Sequence, residues 1–346
     1  MESKNLVKAG ILTLVLVIIS IAGWEVYLRS NGHSISYDDG DALWADKRAK
    51  VYETSDKATV LIGSSRNKFD LDIETWQSIT GEKAIQLAFE GASPLPVLHN
   101  LANDTKFRGK LLIDVTEGLF FGLSSPRGVR VKSALDYYKD VTPAQRFSFK
   151  VNHILESQLT FLDKDFFSLN SLLQNTKLPP RKGVYGAPQF PVDFNRVTFD
   201  RQSKMTSRFE GDTNLQNKVK AIWGYGASRP REPLSQIQQD SILTVIKKSV
   251  DKIKQRGGQI IFVRSPSSGP ILEGEKKGFP REQYWDRLLA FTGYQGIHFE
   301  DYPAIANFQC PEFSHLKYSD AIIYTKNLIQ ILQEKGWTFP YKKQAL

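Results

Sequence analysis

A single cysteine, Cys310, stands in a chain of 346 residues. One thiol can build neither an intrachain disulfide nor a thiolate-rich zinc site. The core must therefore hold by burial, which this length permits as one large domain or two smaller ones. Also missing are a nucleotide loop ending in Gly-Lys-Ser/Thr, a G-x-G-x-x-G turn, an H-E-x-x-H helix and a G-x-S-x-G elbow. These absences remove the simplest nucleotide, zinc-protease and α/β-hydrolase assignments, and neither metal nor cofactor is expected. No internal repeat or low-complexity tract is visible. With 41% hydrophobic and 24% charged residues, 24 Gly and 16 Pro, the composition excludes collagen-like and wholly disordered chains.

Charge is plentiful and uneven. The net charge is +9, and the stretch from Arg127 to Glu232 holds 18 basic against 10 acidic residues, nearly the whole excess. Such a field suits anionic partners or is simply a solvated surface. A nucleic-acid role has no reading motif behind it and is not expected.

The one long apolar run lies at the start. Lys4 and Lys8 precede Ala9 to Gly23, which carries no charge, and Trp24 and Tyr27 follow. With the next turn this approaches the ~20 residues that cross ~30 Å of hydrocarbon. Lysines before the span, and Glu25, Asp38, Asp39 and Asp41 after it, orient the N-terminus toward the cytoplasm and the remainder outside it. Small residues at Ser20-Ile21-Ala22 leave a cleaved signal peptide as the alternative to a retained anchor; both give the same compartment.

Beyond a polar connector over 30–57 with some local helix, the pattern alternates. Short apolar runs predict strands at 58–63, 84–88 and 110–116, with helices at 72–80 and 94–103 between them. Alternation resumes with a helix over 234–256, a strand at 259–263, a helix at 282–291, a strand at 296–299 and a last helix at 319–335. This order predicts an α/β domain over 58–335 with a parallel sheet covered on both faces, followed by a tail, 336–346. Between about 124 and 233 the alternation stops. Amphipathic segments (133–139, 142–162) and a proline-punctuated stretch (178–191) read there as a helical insertion.

Two motifs can carry chemistry. Gly63-Ser64-Ser65-Arg66 follows the first strand, at the carboxyl end where ligands gather in parallel sheets, and a hydroxyl there can attack a carbonyl if a base is supplied; Gly-Ser-Ser is also ordinary turn composition. Far along the chain, Glu312 and His315 lie three apart, so one turn can set carboxylate beside imidazole and fix the tautomer a base needs.

Together these blocks resemble the SGNH or GDSL-like hydrolases, over residues 58–123 and 234–335. The likeness is to a membrane-anchored branch that reads Gly-Ser-Ser and works beside membrane-bound O-acyltransferases on cell-envelope polymers. The resemblance implies a three-layer α/β domain in which Ser65 is the nucleophile, His315 the base and Glu312 its orienting acid. It also implies an oxyanion hole from the amides of Ser65 and Gly91, in Leu87-Ala-Phe-Glu-Gly91. The family's third block supplies an asparagine; here Asp114-Val-Thr-Glu117 has none, so that oxyanion donor is either absent or supplied by Arg66 or a partner protein.

Arg264, after the fourth sheet strand, is a further candidate for an anionic substrate group, with a surface-loop role as the alternative. Phe279 to Trp285 offers a sugar platform or simple helical packing. His99 and His298 are expected to pack on their elements, His33 and His153 have no expected partner, and Cys310 is expected to be a buried small residue. The expectation is therefore an extracytoplasmic serine esterase or O-acetyltransferase acting on a cell-envelope or secreted polysaccharide, with a membrane-bound O-acyltransferase as partner. The alternative is a catalytically silent glycan-binding or scaffold subunit of the same fold.

Overall fold

The computed structural model describes residues 2–52, 58–122, 128–175, 189–227 and 234–340. Two compact units emerge: Met1–Asp38 with Pro143–Tyr185, and Asp39–Thr142 with Gly186–Leu346.

The larger unit is built on strands β1 (Ala58–Ile62), β2 (Lys83–Gln86), β3 (Lys110–Asp114), β6 (Gln259–Arg264) and β7 (Gly296–His298). The intervening β4 (Asn195–Val197) and β5 (Ser203–Met205) form a separate antiparallel pair. The sheet order is β2-β1-β3-β6-β7, and every pairing in it is parallel. Because side chains alternate across a strand, Val60, Ile62, Leu111, Ile113, Ile260 and Phe262 face one core, with helices Leu95–Asn103, Gln236–Gln255 and Arg281–Thr292. Leu61, Leu112, Ile261 and Val263 face another, with helices Ile73–Thr80 and Tyr318–Glu334. Burial on both faces explains why these strands read as unbroken apolar runs. Each fully buried Leu, Ile or Phe adds about 1.5–3 kcal/mol.

Local signals set the helix ends. Asp72 caps the helix Ile73–Thr80 by accepting from the Thr75 amide, and Gly81 closes it at φ 70°. Ser235 and Gln238 form a reciprocal capping box that starts the helix Gln236–Gln255.

The boundaries differ from the sequence expectation in three places. The connector contains the helix Asp41–Lys50, whose Trp44 lies buried in the first core, so the α/β unit takes in residues from Asp39 onward. The stretch 124–233 is not a single helical insertion. It contains the β4–β5 pair as well as helices, and Pro143–Tyr185 groups with the N-terminal helix while the flanking parts belong to the α/β unit. In the tail, Trp337 is buried in the second core. Most of the proline-punctuated stretch falls outside the described residues.

The smaller unit carries the helix Glu2–Ser30. From Lys4 to Ser30 it is long and apolar enough to span a membrane, with a mean hydropathy of 2.4 and none of its apolar window buried against protein.

Candidate active site

The chain runs from β1 to β2 on one side and then to β3 on the other, which leaves a crevice at the carboxyl ends of β1 and β3. Gly63 is required there. A Cβ on it would lie 2.6 Å from the Asp114 Cβ and 2.9 Å from the Asn67 Cβ, closer than packed side chains come. The Ser64 hydroxyl then turns inward, 2.7 Å from Thr116 Oγ1 and 3.4 Å from Asp114 Oδ2. Ser65 opens the short helix Ser65–Asp70.

The Ser65 Oγ lies 2.8 Å from His315 Nε2, and His315 Nδ1 lies 2.8 Å from Glu312 Oε1. The sequence-predicted trio, with serine and histidine 250 positions apart, is therefore brought together. Glu312 is fully buried. Its Oε1 also accepts from the amides of His315 at 2.6 Å and Ser314 at 3.3 Å, and its Oε2 accepts from Trp223 Nε1. With Nδ1–H donated to the carboxylate, the Nε2 lone pair is left for the serine proton.

The turn that sets this spacing is strained. Phe313 has φ 77°, a left-handed conformation that a bulky residue seldom adopts. Hydrogen bonds from the Phe313 amide to the Cys310 carbonyl and from the Ser268 amide to the Phe313 carbonyl hold it. The Leu316 amide is fixed by Asp70 Oδ1 at 2.9 Å. Strain held this way clusters where function needs a fixed geometry.

Around the imidazole stands an aromatic wall. The Phe69 ring lies 4.4 Å from the His315 ring, with Phe194 and Trp223 each at 6.0 Å, and Phe209 packs behind Phe194. Phe194 and Trp223 come from the stretch that lies outside the family resemblance. No pattern in the sequence marks them, because each meets the site by one side chain across a long separation. Apolar rings beside a Ser–His pair keep water from competing for its hydrogen bonds.

Gly91 reaches the same sheet edge. The β1–β2 pairing continues past the strands through Leu87 N to Leu61 O and Phe89 N to Gly63 O, so Phe89, two residues before Gly91, is paired with Gly63, two residues before Ser65. The φ of Gly91 is 64°, where glycine is favoured. The adjoining Glu90 is anchored by Lys68 at 2.9 Å and by the Ser203 hydroxyl at 2.8 Å. Burial alone would raise the Glu90 carboxyl, but the Lys68 ammonium brings it down to about 2. Lys68 also binds Asp39, and Arg201 binds Asp39 together with the carbonyls of Gln86 and Ala88. A buried charge network thus braces the loop after β2.

Both arginines have internal partners. Arg66 gives Nε to the Ser314 carbonyl at 3.2 Å and Nη2 to Glu275; Arg264 bridges Glu117 and Glu275 and bonds the Ser265 carbonyl. Both are almost wholly buried. Among the described residues neither is hydrogen-bonded to Ser65 Oγ or the His315 ring. Arg66 instead ties the nucleophile's helix to the histidine loop, and Arg264 is an internal bridge and no surface arginine. Burial alone would raise Glu275, but Arg264 and Arg66 hold it well below the usual carboxylate range, whereas burial raises Glu117.

The third block supplies no amide side chain. Asp114 sits beneath the crevice and accepts from Ser265 Oγ at 2.8 Å, and burial pushes its carboxyl up. Tyr284 and Trp285 are core residues, which leaves helical packing as their role. Cys310 is buried, and burial raises its thiol well above the ordinary value. No cluster of metal-ligating side chains occurs among the described residues. No protein-family model matches the chain, and no curated protein is significantly similar to it.

Proposed function

We propose that the protein is a serine-dependent ester hydrolase or O-acyltransferase, with Ser65 as nucleophile, His315 as base and Glu312 as the acid that orients it. The observation that carries this reading is the unbroken relay of 2.8 Å from Ser65 Oγ to His315 Nε2 and 2.8 Å from His315 Nδ1 to Glu312. In the first step Ser65 Oγ bonds to the ester carbonyl carbon while its proton passes to Nε2. The tetrahedral oxyanion is met by the amides of Ser65 and Gly91, and each such donor lowers the barrier by about 3 kcal/mol. Collapse expels the alcohol, which takes the proton from Nε2, and leaves an acyl-serine. A water or sugar hydroxyl then gives its proton to Nε2, attacks the acyl carbon and frees Ser65.

Acetyl is the proposed group, and a cell-envelope or secreted polysaccharide the proposed acceptor. The resemblance to anchored SGNH hydrolases supports a membrane-bound O-acyltransferase as the acyl source. The apolar N-terminal helix supports an anchor, and the lysines before it with the acidic residues after it support an α/β unit outside the cytoplasm. The test is acetate release from an activated acetyl ester by the full chain in detergent, with and without a glycan acceptor. Transfer requires acetylated glycan to form at the expense of acetate. Equal acetate release in both would leave hydrolysis, and no turnover together with an unchanged cellular phenotype of Ser65→Ala would leave the scaffold role.

A further inference from the structure

The unit containing the anchor presents a second apolar surface. In the helix Pro143–Glu156 no residue is buried. At 100° per residue, Phe147, Val151, Ile154 and Leu155 fall within one stripe about 100° wide. All four are exposed, Phe147 by 70% and Ile154 by 61%, while Phe149 and His153 turn the other way, His153 toward Tyr37. In the helix Leu169–Asn175, Leu169 and Leu173 are exposed by 72% and 61%. A soluble surface seldom gathers so many large apolar side chains without a partner to cover them.

The segment between these helices is fixed to the end of the anchor. Glu25 accepts from the amides of Thr160 and Phe161 at 2.9 and 3.3 Å, Arg29 donates to the Gln158 carbonyl at 2.8 Å, and the rings of Trp24 and Phe167 lie 6.4 Å apart. Thr160 and Phe167 therefore stand at the level of Trp24 and Glu25, where the uncharged run ends and an interfacial aromatic is found. One helix ends four residues before Thr160, and the other begins two residues after Phe167. Both therefore meet the anchor at the depth of the membrane surface.

We infer that residues 143–173 form an interfacial collar, whose two helices lie in the same bilayer that the N-terminal helix crosses and bury Phe147, Val151, Ile154, Leu155, Leu169 and Leu173 among lipid chains. The occupant is lipid because this apolar surface is continuous, through hydrogen bonds, with a helix whose apolar window has no protein cover. Amphipathic helices of this kind sit about 5–10 Å into the headgroup and acyl boundary.

The native thiol is buried, so introduced cysteines can be labelled selectively. Phe147→Cys, Ile154→Cys and Leu173→Cys would each carry an environment-sensitive dye in the full chain, placed in phosphatidylcholine nanodiscs doped with nitroxide lipid. Asn152→Cys, on another face of the same helix, serves as the control. Expected is loss of most emission to nitroxide lipid at the three apolar sites, with protection from aqueous iodide, and the reverse at 152. Iodide quenching at all four sites with no lipid quenching would overturn the proposal. So would dye that stays wet in nanodiscs and becomes dry only when a multispanning protein is co-reconstituted, because the surface would then be a protein-docking face.

Discussion

Replacing Trp223 by phenylalanine removes one N–H and keeps most of the ring. That N–H donates to Glu312 Oε2, an oxygen otherwise turned into a fully buried environment, while Oε1 keeps its three other donors. Leaving such an acceptor unpaired costs about 1–3 kcal/mol. If the loss falls on the orientation of the imidazolium that forms in the transition state, it appears as a roughly 5- to 150-fold fall in kcat. KM should change little, since Trp223 acts through Glu312. The assay is hydrolysis of an activated acetyl ester by the full chain in detergent, with kcat and KM resolved separately and the thermal midpoint followed in parallel. Trp223→Phe should fall between wild type and Ser65→Ala, for which a loss of about 10⁴-fold or more is expected. An unchanged kcat in a folded variant would refute the role assigned to Trp223.

Other consequences are separable from this one. Gly63→Ala should destabilise by about 1–3 kcal/mol, because the new Cβ meets Asp114 and Asn67; an unchanged denaturant midpoint would mean that the crevice has room to spare. Lys68→Met leaves Glu90 and Asp39 without their shared ammonium and should cost about 3–5 kcal/mol, read from the same midpoint. Because Glu90 is held at about 2, its stabilising contribution is present above its unfolded value and fades as pH falls from about 4.5 toward 2, and Lys68→Met should remove that part of the acid dependence. Asp70 has the opposite sign. Burial pushes its carboxyl well above the ordinary value and its Oδ2 is buried without a hydrogen bond. The unfolded chain releases this proton first, so Asp70 lowers stability as pH rises above about 4. Asp70→Asn should flatten the decline above about pH 4, and an identical slope in both proteins would contradict the assignment.

How much of this could be read in advance follows from which interactions are local. β1, β3 and β6 announce themselves because both of their faces are buried, so Val60-Leu61-Ile62 and Ile260-Ile261-Phe262 need no alternation. The Glu312–His315 pair is legible because three residues span one turn, and Ser65 because a serine ends a buried strand. Trp223 and Phe194 are not legible, since their contacts with Glu312 and His315 depend on how a stretch without strand–helix alternation folds back. The internal ion pairs of the two arginines are not legible for a related reason. Their partner Glu275 sits on the helix Gly269–Gly278, which has no buried residue and so no periodic apolar signature. Trp44 is not legible as a core residue because the helix carrying it is mostly charged and polar outside its short apolar side.

The central claim is that Ser65 is an activated nucleophile, and intact-mass spectrometry tests it most directly. Full-length protein in detergent, exposed to a serine-directed sulfonyl fluoride and separately to an activated acetyl ester, should gain one adduct in each case, and Ser65→Ala and His315→Ala should gain none. A correctly folded wild-type chain that stays unmodified between pH 6 and 9, or an adduct that persists in Ser65→Ala, would contradict the account.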